Sequence, residues 1–182
     1  DKIIVTPHLG ASTIEAQAGV DKDVAEQVLT VLQGNYSKYA VNAPHISPEL
    51  MPLIKASTTI GSLGSQLMEG QISSVHIKYC GEVSEYDCNP FKTAIVSGLL
   101  QQVSEERINL INVSFIVAQR LLKITEEKET ICQNYSNLLT LRVNTTIGTT
   151  TISGTVRDNE THIVQVNDFW MDTSGLNLSE II

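Results

Sequence analysis

The sequence predicts an α+β (mixed α/β) fold, with one mostly antiparallel sheet, helices packed on one face, and a strand–turn–helix segment in front. Helical and strand patterns alternate through the first two thirds of the chain, and strand patterns then follow one another directly. Apolar residues make up 42% of the chain, which is ordinary for a globular protein with a buried core. Helices followed by a run of strands favour a sheet covered by helices on one side.

The opening segment predicts a strand, a tight turn and the start of a helix. Lys2 to Val5 is a β-branched apolar run, typical of a buried strand. Pro7 ends the hydrogen-bonding ladder, and Gly10 allows the backbone to turn. Ser12 and Glu15 have the spacing of a capping box, so a helix is predicted from about Ser12.

The first helix is predicted to reach Gln33, with Gly34 as its C-cap. Its apolar residues recur at helical spacing along one face: Val24, Val28, Leu29 and Leu32. Residues 35–46 are polar and extended and contain a proline, which indicates a linker.

A second helix is predicted to begin at Ser47, with Pro48 at its first helical position, and to stop at Gly70. Gly61 and Gly64 each cost about 1 kcal/mol of helix propensity, but their small size allows close packing against a neighbour. The apolar stripe comprises Leu50, Leu53, Ile54, Ile60, Leu63 and Leu67.

The next segments predict a half-buried strand and two more helices. Residues 73–82 alternate, with Val75, Ile77 and Tyr79 on one face and His76 on the other, where it is interpreted as an outward strand residue. A third helix runs from residue 89 to about 102, and a fourth runs from a cap at 112 to about 121. The inward residues of the third helix are Ile95, Val96, Leu99 and Leu100, and Asn112 is the predicted cap of the fourth.

The last third of the chain predicts strands. Residues 123–129 are short and charged, which suits a sheet edge. Residues 138–144, 149–157 and 162–166 alternate, and Asp158 with Asn159 suits a hairpin turn.

Charge and cysteine content exclude several classes of function. The net charge of −8 argues against a nucleic-acid backbone or an anionic membrane as the main partner. Cys80, Cys88 and Cys132 are an odd number without C-x-x-C spacing, so neither a disulfide framework nor a zinc site is expected. Six Asn-x-Ser/Thr triplets would matter only in a secreted chain, which keeps a secreted binding module as an alternative hypothesis.

His8, in the stretch TPHLGAST, is the candidate for acid–base chemistry, since imidazole titrates near neutral pH and His8 lies where a predicted strand ends. A histidine exposed in a turn is the alternative interpretation. Neither a G-x-G-x-x-G nor a Walker pattern occurs, histidines lack metal-ligand spacing, and there is no G-x-S-x-G elbow.

The chain resembles D-3-phosphoglycerate dehydrogenases of the NAD-dependent D-2-hydroxyacid dehydrogenase superfamily. KIIVTPHLGASTIEAQAGVDKDVAEQVLTVLQGN resembles the end of the catalytic unit. AVNAPHISPELMPLIKASTTIGSLGSQLMEGQISSVHIKYCGEV resembles the intervening, allosteric substrate-binding domain of the long form. NPFKTAIVSGLL, INLINVSFIVAQRLLKITEE, ISGTVRDNETHIVQVNDF and GLNL continue that resemblance in order.

The resemblance implies roles for named residues. It makes His8 the catalytic histidine that protonates the substrate carbonyl as hydride arrives from NADH. It places Leu9, Gly10 and Ala11 beside the nicotinamide. It divides the chain into residues 1–40 as a tail of the catalytic unit, 41–175 as the intervening domain, and 176–182 as the start of a truncated ACT domain.

Further expectations follow from the same resemblance. The parent enzyme would convert 3-phosphoglycerate to 3-phosphohydroxypyruvate in the cytoplasm, as the first step of serine biosynthesis, and would be a homo-oligomer. The nucleotide fingerprint, the substrate-orienting arginine and the glutamate partner of the histidine lie upstream in the family, so this chain alone is expected to be inactive and not to bind NAD. A stand-alone ligand-binding or oligomerisation domain is the alternative.

The sequence leaves effector binding and the apolar surfaces open. A small anionic effector would need cations, and the candidates are Lys78, Arg142, Arg157 and His162. Phe169 and Trp170 are expected to pack the end of the sheet against a helix, with a subunit contact as the alternative. The apolar face of the first helix is expected to be buried in a homodimer or to fray.

Overall fold

The computed structural model describes residues 3–7, 9–32, 39–40, 46–104 and 108–174. The chain forms two compact units, Asp1–His45 and Ile46–Ile182. The second unit contains all of the described strands. Across the described ranges, no helix has the length and apolar character needed to cross a membrane.

The first unit is built on one helix, α1 (Ile14–Leu32). The backbone N–H of Ala16 donates to Thr13 Oγ1 at 3.2 Å, so Thr13 caps the helix where the sequence pointed to Ser12. The predicted strand is wrong for residues 3–5, which have no regular structure and are highly exposed. A strand needs a neighbour for its backbone groups, and the described strands all lie between residues 72 and 174. The predicted C-cap, Gly34, lies outside the described residues.

The second unit contains a six-stranded sheet in the order β2-β1-β3-β4-β5-β6. β1 and β2 are parallel, and every other neighbouring pair is antiparallel. The strands are β1 (Ile72–Gly81), β2 (Lys123–Glu129), β3 (Asn137–Thr145), β4 (Thr149–Arg157), β5 (Glu160–Val166) and β6 (Phe169–Ser174). The predicted mostly antiparallel sheet is therefore confirmed, with the charged β2 at an edge as expected.

Three helices accompany the sheet: α2 (Met51–Leu67), α3 (Asn89–Gln101) and α4 (Val113–Gln119). A 3-10 turn at Pro48–Leu50 leads into α2, and a second follows β1 at Glu82–Glu85. α2 lies against β3, β4 and β5, and α3 packs beside α2. This arrangement confirms the prediction of helices on one face of the sheet.

The core lies between these helices and the sheet, and its residues follow the predicted alternation. Val75, Ile77 and Tyr79 of β1 have no exposed surface. In register with them on β3 are Val143, Leu141 and Leu139, which are also fully buried. Because residues paired across neighbouring strands lie on the same face, these six side chains form the apolar face of the sheet that the helices cover.

Small residues bring α2 and α3 close together. A Cβ added at Gly61 would lie 2.0 Å from the backbone oxygen of Ile95, and one at Gly98 would lie 2.4 Å from the backbone oxygen of Thr58. Each helix therefore contributes one glycine to the crossing, where it faces the backbone of the other helix. The prediction of close packing at Gly61 is confirmed, and Gly64 lies in the same way against the side chains of Leu141 and Leu99.

Two local details match or refine the sequence expectations. Asp158 and Asn159 both have positive φ, 53° and 64°, as the predicted hairpin turn between β4 and β5 requires. Asn112 precedes α4, but its side-chain oxygen accepts the backbone N–H of Asn109 at 2.8 Å, and the side chain makes no cap to the helix.

The sequence analysis missed one strand, and two aromatic residues that were expected to be packed are exposed on it. The sequence did not predict β6, which pairs with β5 at the edge opposite β2. Phe169 and Trp170 begin this strand and are 74% and 61% exposed. The expectation that they pack against a helix is therefore wrong, because an edge strand in this position carries them outward.

Candidate functional site

The candidate catalytic segment lies in the first unit. His8 lies outside the described residues. Leu9, Gly10 and Ala11 are exposed in a turn, and the backbone oxygen of Leu9 accepts the N–H of Ser12 at 3.3 Å. This turn delivers the chain into α1 and presents its backbone to the surface, but three turn residues do not by themselves enclose a ligand.

α1 presents an apolar groove in the first unit. Val28, Leu29 and Leu32 are 51%, 58% and 74% exposed, although the helix continues as far as Leu32. The groove has a volume of about 660 Å³, and its lining residues are Val20, Asp23, Val24, Gln27, Val28, Val31, Leu32 and Tyr39. Exposed apolar surface of this kind is typical of a contact with other protein surface.

In the second unit, an ionic cluster occupies the sheet face opposite the helices, on β1 and β2. Lys78 Nζ lies 2.6 Å from Glu129 Oε2 and 3.1 Å from Glu127 Oε1. His76 Nε2 lies 3.3 Å from Glu127 Oε2, and its Nδ1 lies 2.9 Å from Thr125 Oγ1. The strand register explains the cluster, since His76 is paired with Thr125 and Lys78 with Glu127.

These contacts shift the proton affinities within the cluster. The hydrogen bonds that Lys78 donates to Glu129 and Glu127 raise the pKa of Lys78 well above its ordinary value. The hydrogen bond and charge of Lys78 lower the pKa of Glu127 below its ordinary value. Lys78 is thus held as a cation between two carboxylates, and little of its charge is left for a third anion.

The candidate cations do not converge on one point. Arg142 is paired with His76 across β1 and β3, which places it diagonally next to Lys78. His162 on β5 is paired with Thr155, and Arg157 ends β4. His162 is buried, with 8% of its surface exposed. The described residues therefore place the four predicted cations on four different strands, and Lys78 is already held by two glutamates.

A cavity of about 340 Å³ lies on the helix side of the sheet, between α3, α4 and β2. Its polar wall centres on Glu126, which accepts hydrogen bonds from Lys92 Nζ at 2.9 Å and from the hydroxyl of Tyr79 at 3.1 Å. Burial, followed by the charge of Glu126, raises the pKa of Tyr79, so the phenol stays protonated and remains a donor. The lining residues are Asn89, Lys92, Thr93, Val96, Val113, Ser114, Val117, Leu122, Ile124 and Glu126.

Sequence reasoning missed this cavity. Lys92 and Glu126 are 34 residues apart, and Tyr79 and Glu126 are 47 apart, so no local motif connects them. The only signal was the alternation of β2, which places Glu126 on the same face as Ile124. The cavity mixes apolar and polar walls, which suits a small molecule that carries both kinds of group.

The described residues form neither a metal-ligating group nor a dinucleotide-binding sheet. Among the described residues, no group of three His, Cys, Asp or Glu side chains is arranged to hold a metal ion. The single parallel strand pair, β1 with β2, joins an otherwise antiparallel sheet, so the described ranges contain no doubly wound sheet of the dinucleotide-binding kind.

Comparison with known proteins identifies the second unit. Residues 49–167 match the family model described as the D-3-phosphoglycerate dehydrogenase intervening domain. A D-3-phosphoglycerate dehydrogenase of Synechocystis is 37% identical over 173 residues, which cover 92% of this chain and 31% of the relative. The chloroplastic D-3-phosphoglycerate dehydrogenase 2 of Arabidopsis thaliana is 31% identical over an alignment of 195 positions, gaps included, which covers 96% of this chain and 31% of the relative.

A third relative is archaeal. The D-3-phosphoglycerate dehydrogenase of Methanocaldococcus jannaschii is 31% identical over 173 residues, which cover 93% of this chain and 33% of the relative. The chain thus spans about a third of the length of the curated relatives it matches.

Proposed function

This chain belongs to the D-3-phosphoglycerate dehydrogenase intervening-domain family, and we propose that it is the regulatory and assembly segment of an NAD-dependent enzyme. That enzyme interconverts 3-phosphoglycerate and 3-phosphohydroxypyruvate, opens serine biosynthesis in the cytoplasm, and is a homo-oligomer. The observation that carries the proposal is the family match over residues 49–167, within a chain whose matched relatives bear the dehydrogenase name and are about three times longer.

The proposal assigns a role to each part of the chain. Residues 1–40 are the tail of the catalytic unit, residues 41–175 are the intervening domain, and residues 176–182 begin an ACT domain. The apolar groove of α1, along Val24, Val28 and Val31, supports this division, because a helix at the end of a catalytic unit needs such a face to pack against it. In an isolated chain, the same face would bury itself in a homodimer.

His8 is the proposed proton donor to the carbonyl oxygen of the keto acid, and it removes the proton in the reverse direction. Leu9, Gly10 and Ala11, exposed in their turn, lie beside the nicotinamide in this proposal. NAD, when bound, supplies the hydride chemistry. The described residues do not fit the whole dinucleotide, because they provide neither its glycine-rich loop nor the sheet that carries it.

The isolated chain is therefore proposed to be inactive, and a segment swap tests this. The 173-residue segment of the Synechocystis enzyme is replaced by the matching part of this chain, and NADH oxidation with 3-phosphohydroxypyruvate is followed at 340 nm. The swapped enzyme should turn over, while the isolated 182-residue chain at the same concentration should show only the background rate. Turnover by the isolated chain would refute its inactivity, and a folded but inactive swap would refute the family role.

A stand-alone ligand-binding domain is the second candidate function, and the 340 Å³ cavity at Glu126 favours it. Calorimetric titration of the isolated chain with phosphate and with 3-phosphohydroxypyruvate tests the small anionic effector. If the heat of binding disappears in the Lys92→Met variant and is retained in the Lys78→Met variant, the effector binds in the cavity. Absence of a heat of binding for both ligands would count against an anionic effector. The ion pairs would then explain the result, because Glu126 already neutralises Lys92 and two carboxylates already hold Lys78.

A further inference from the structure

Two cysteines lie close together at one end of the sheet, where Cys80 is paired with Glu129 of the ionic cluster. Cys80 is the next-to-last residue of β1 and is 6% exposed, and Cys132 lies half-buried in the connection from β2 to β3. Cys132 is close enough to Cys80 for its thiol to raise the pKa of the Cys80 thiol. The thiol of Cys80 also donates to the backbone oxygen of Ile131 at 3.4 Å, which independently places the Cys132 segment over Cys80.

The topology of the sheet keeps the two cysteines together. Cys80 is paired with Glu129 at the end of β2 and with Leu138 at the start of β3. β2 and β3 therefore flank β1 at Cys80, and the connection between them passes from one side of Cys80 to the other. Its far end is fixed as well, because the backbone N–H of Glu82 donates to the oxygen of Ser136 at 2.9 Å. A seven-residue connection, residues 130–136, that is anchored at both ends has few ways to move Cys132 away.

We propose that Cys80 and Cys132 form a reversible disulfide, which makes this end of the sheet a modification site for peroxides. In the first step, the Cys132 thiol reduces hydrogen peroxide, which yields a sulfenic acid and one water. In the second step, the Cys80 sulfur attacks the Cys132 sulfur, the S–O bond breaks, and the hydroxide leaves with the thiol proton as a second water. Two thiols supply the two electrons that reduce the peroxide.

The surroundings of the two sulfurs decide their order of reaction. Cys132 is half-buried and can be reached by an oxidant, whereas Cys80 is almost fully covered. Burial, followed by the hydrogen bond with Cys132, raises the pKa of Cys80 to about 12, so it is a poor first nucleophile near neutral pH. As the resolving thiol, Cys80 needs only to reach the residue next to Ile131, which it already contacts, and the two sulfurs must approach to the S–S distance of about 2.05 Å.

Cys88 provides an internal control. It is 4% exposed, and its thiol lies 3.6 Å from the backbone oxygens of Val83 and Tyr86. Its thiol therefore donates to backbone, whereas that of Cys80 has another thiol beside it. The proposal predicts that Cys88 stays reduced under the conditions that join Cys80 and Cys132.

The test counts thiols in the full 182-residue chain. Reduced protein is treated with a small excess of hydrogen peroxide, denatured, and titrated with dithionitrobenzoate. The three thiols should fall to one, the mass should drop by about 2 Da, and dithiothreitol should restore three. Digestion by a glutamyl endopeptidase, which cuts after Glu82 and Glu85, separates Cys80 from Cys88 and identifies the linked pair.

Two variants make the result specific. Cys88→Ala should still lose two thiols, whereas Cys132→Ser, a change in a half-exposed connection, should keep both of its thiols. The proposal is overturned if the wild-type chain keeps three thiols, if the linked peptide contains Cys88, or if the disulfide joins two chains on a non-reducing gel.

Discussion

The crossing of α2 and α3 allows a quantitative test of the fold. In Gly61→Ala, the new methyl group would lie 2.0 Å from the backbone oxygen of Ile95 and 2.9 Å from the backbone nitrogen of Leu99. Ordinary contacts need more than about 3 Å, so the two helices must separate by roughly 1 Å. Backbone atoms cannot rotate aside as a side chain can, and the separation loosens the packing along the whole crossing.

Two opposing terms set the size of the effect. Overpacking of a close-packed core costs about 1–3 kcal/mol, and this site lies at the upper end because the clash is with backbone. Alanine regains about 1 kcal/mol of helix propensity over glycine. The free energy of unfolding should therefore fall by about 2 kcal/mol. Urea unfolding followed by circular dichroism measures this as a lower midpoint with an unchanged slope.

Gly148→Ala is the matched control in the same unit. A Cβ at Gly148 meets nothing within 4 Å, so the free energy of unfolding should change by less than about 0.5 kcal/mol. If Gly61→Ala were as stable as the wild-type chain, or more stable, helix propensity alone would decide the outcome. The close approach of α2 and α3 would then be wrong.

Three further outcomes follow from the contacts. Because the pKa of Glu127 is lowered, the stability it contributes is fully present above pH 4.5 and is lost as pH falls through its folded-state value. The difference in urea midpoint between wild type and Lys78→Met should thus shrink as the pH falls below 4.5 and at high salt, and a pH-independent difference would contradict this. Tyr79→Phe removes the hydrogen bond that Tyr79 donates to Glu126 and should lower the free energy of unfolding by about 1–2 kcal/mol. The control Tyr86→Phe, at an exposed residue, should change the free energy of unfolding little, and equal effects would contradict the contact with Glu126. Light scattering should give a dimer mass for the isolated chain and a monomer mass for Val28→Lys, which places a charge in the groove. The control Glu26→Lys, on the opposite side of α1, should remain dimeric. A monomer mass for the wild-type chain would exclude burial of the groove in a homodimer.

The sequence was most informative where one local rule decides the structure. The alternation of Val75, Ile77 and Tyr79 identified the buried face of β1, because successive strand residues point to opposite faces. The Asp158–Asn159 turn could be predicted because both residues tolerate positive φ. β6 was missed since it is a short edge strand whose first three residues, 169–171, are exposed, and such a run lacks the alternation of a half-buried strand.

The polar sites could be predicted only in part. Lys78 was visible as a cation, but its two carboxylate partners depend on the parallel pairing of β1 with β2, which joins residues 49 apart. The Tyr79–Glu126–Lys92 contacts depend on the same register and on the position of α3. At residues 3–5, by contrast, the sequence predicted a strand that does not form, because a β-branched run forms a strand only where a neighbouring strand pairs with its backbone.

The most direct test of the proposed function is the kcat of the Synechocystis segment swap with and without His8→Gln. The proposal predicts a loss of at least about 100-fold, the effect of removing a general acid–base residue, with NADH affinity unchanged by fluorescence titration. His76→Gln, on the far face of the sheet from the helices, should keep the activity of the swap. Full activity in the His8→Gln enzyme would contradict the assignment of this histidine, and with it the role proposed for the segment that carries it.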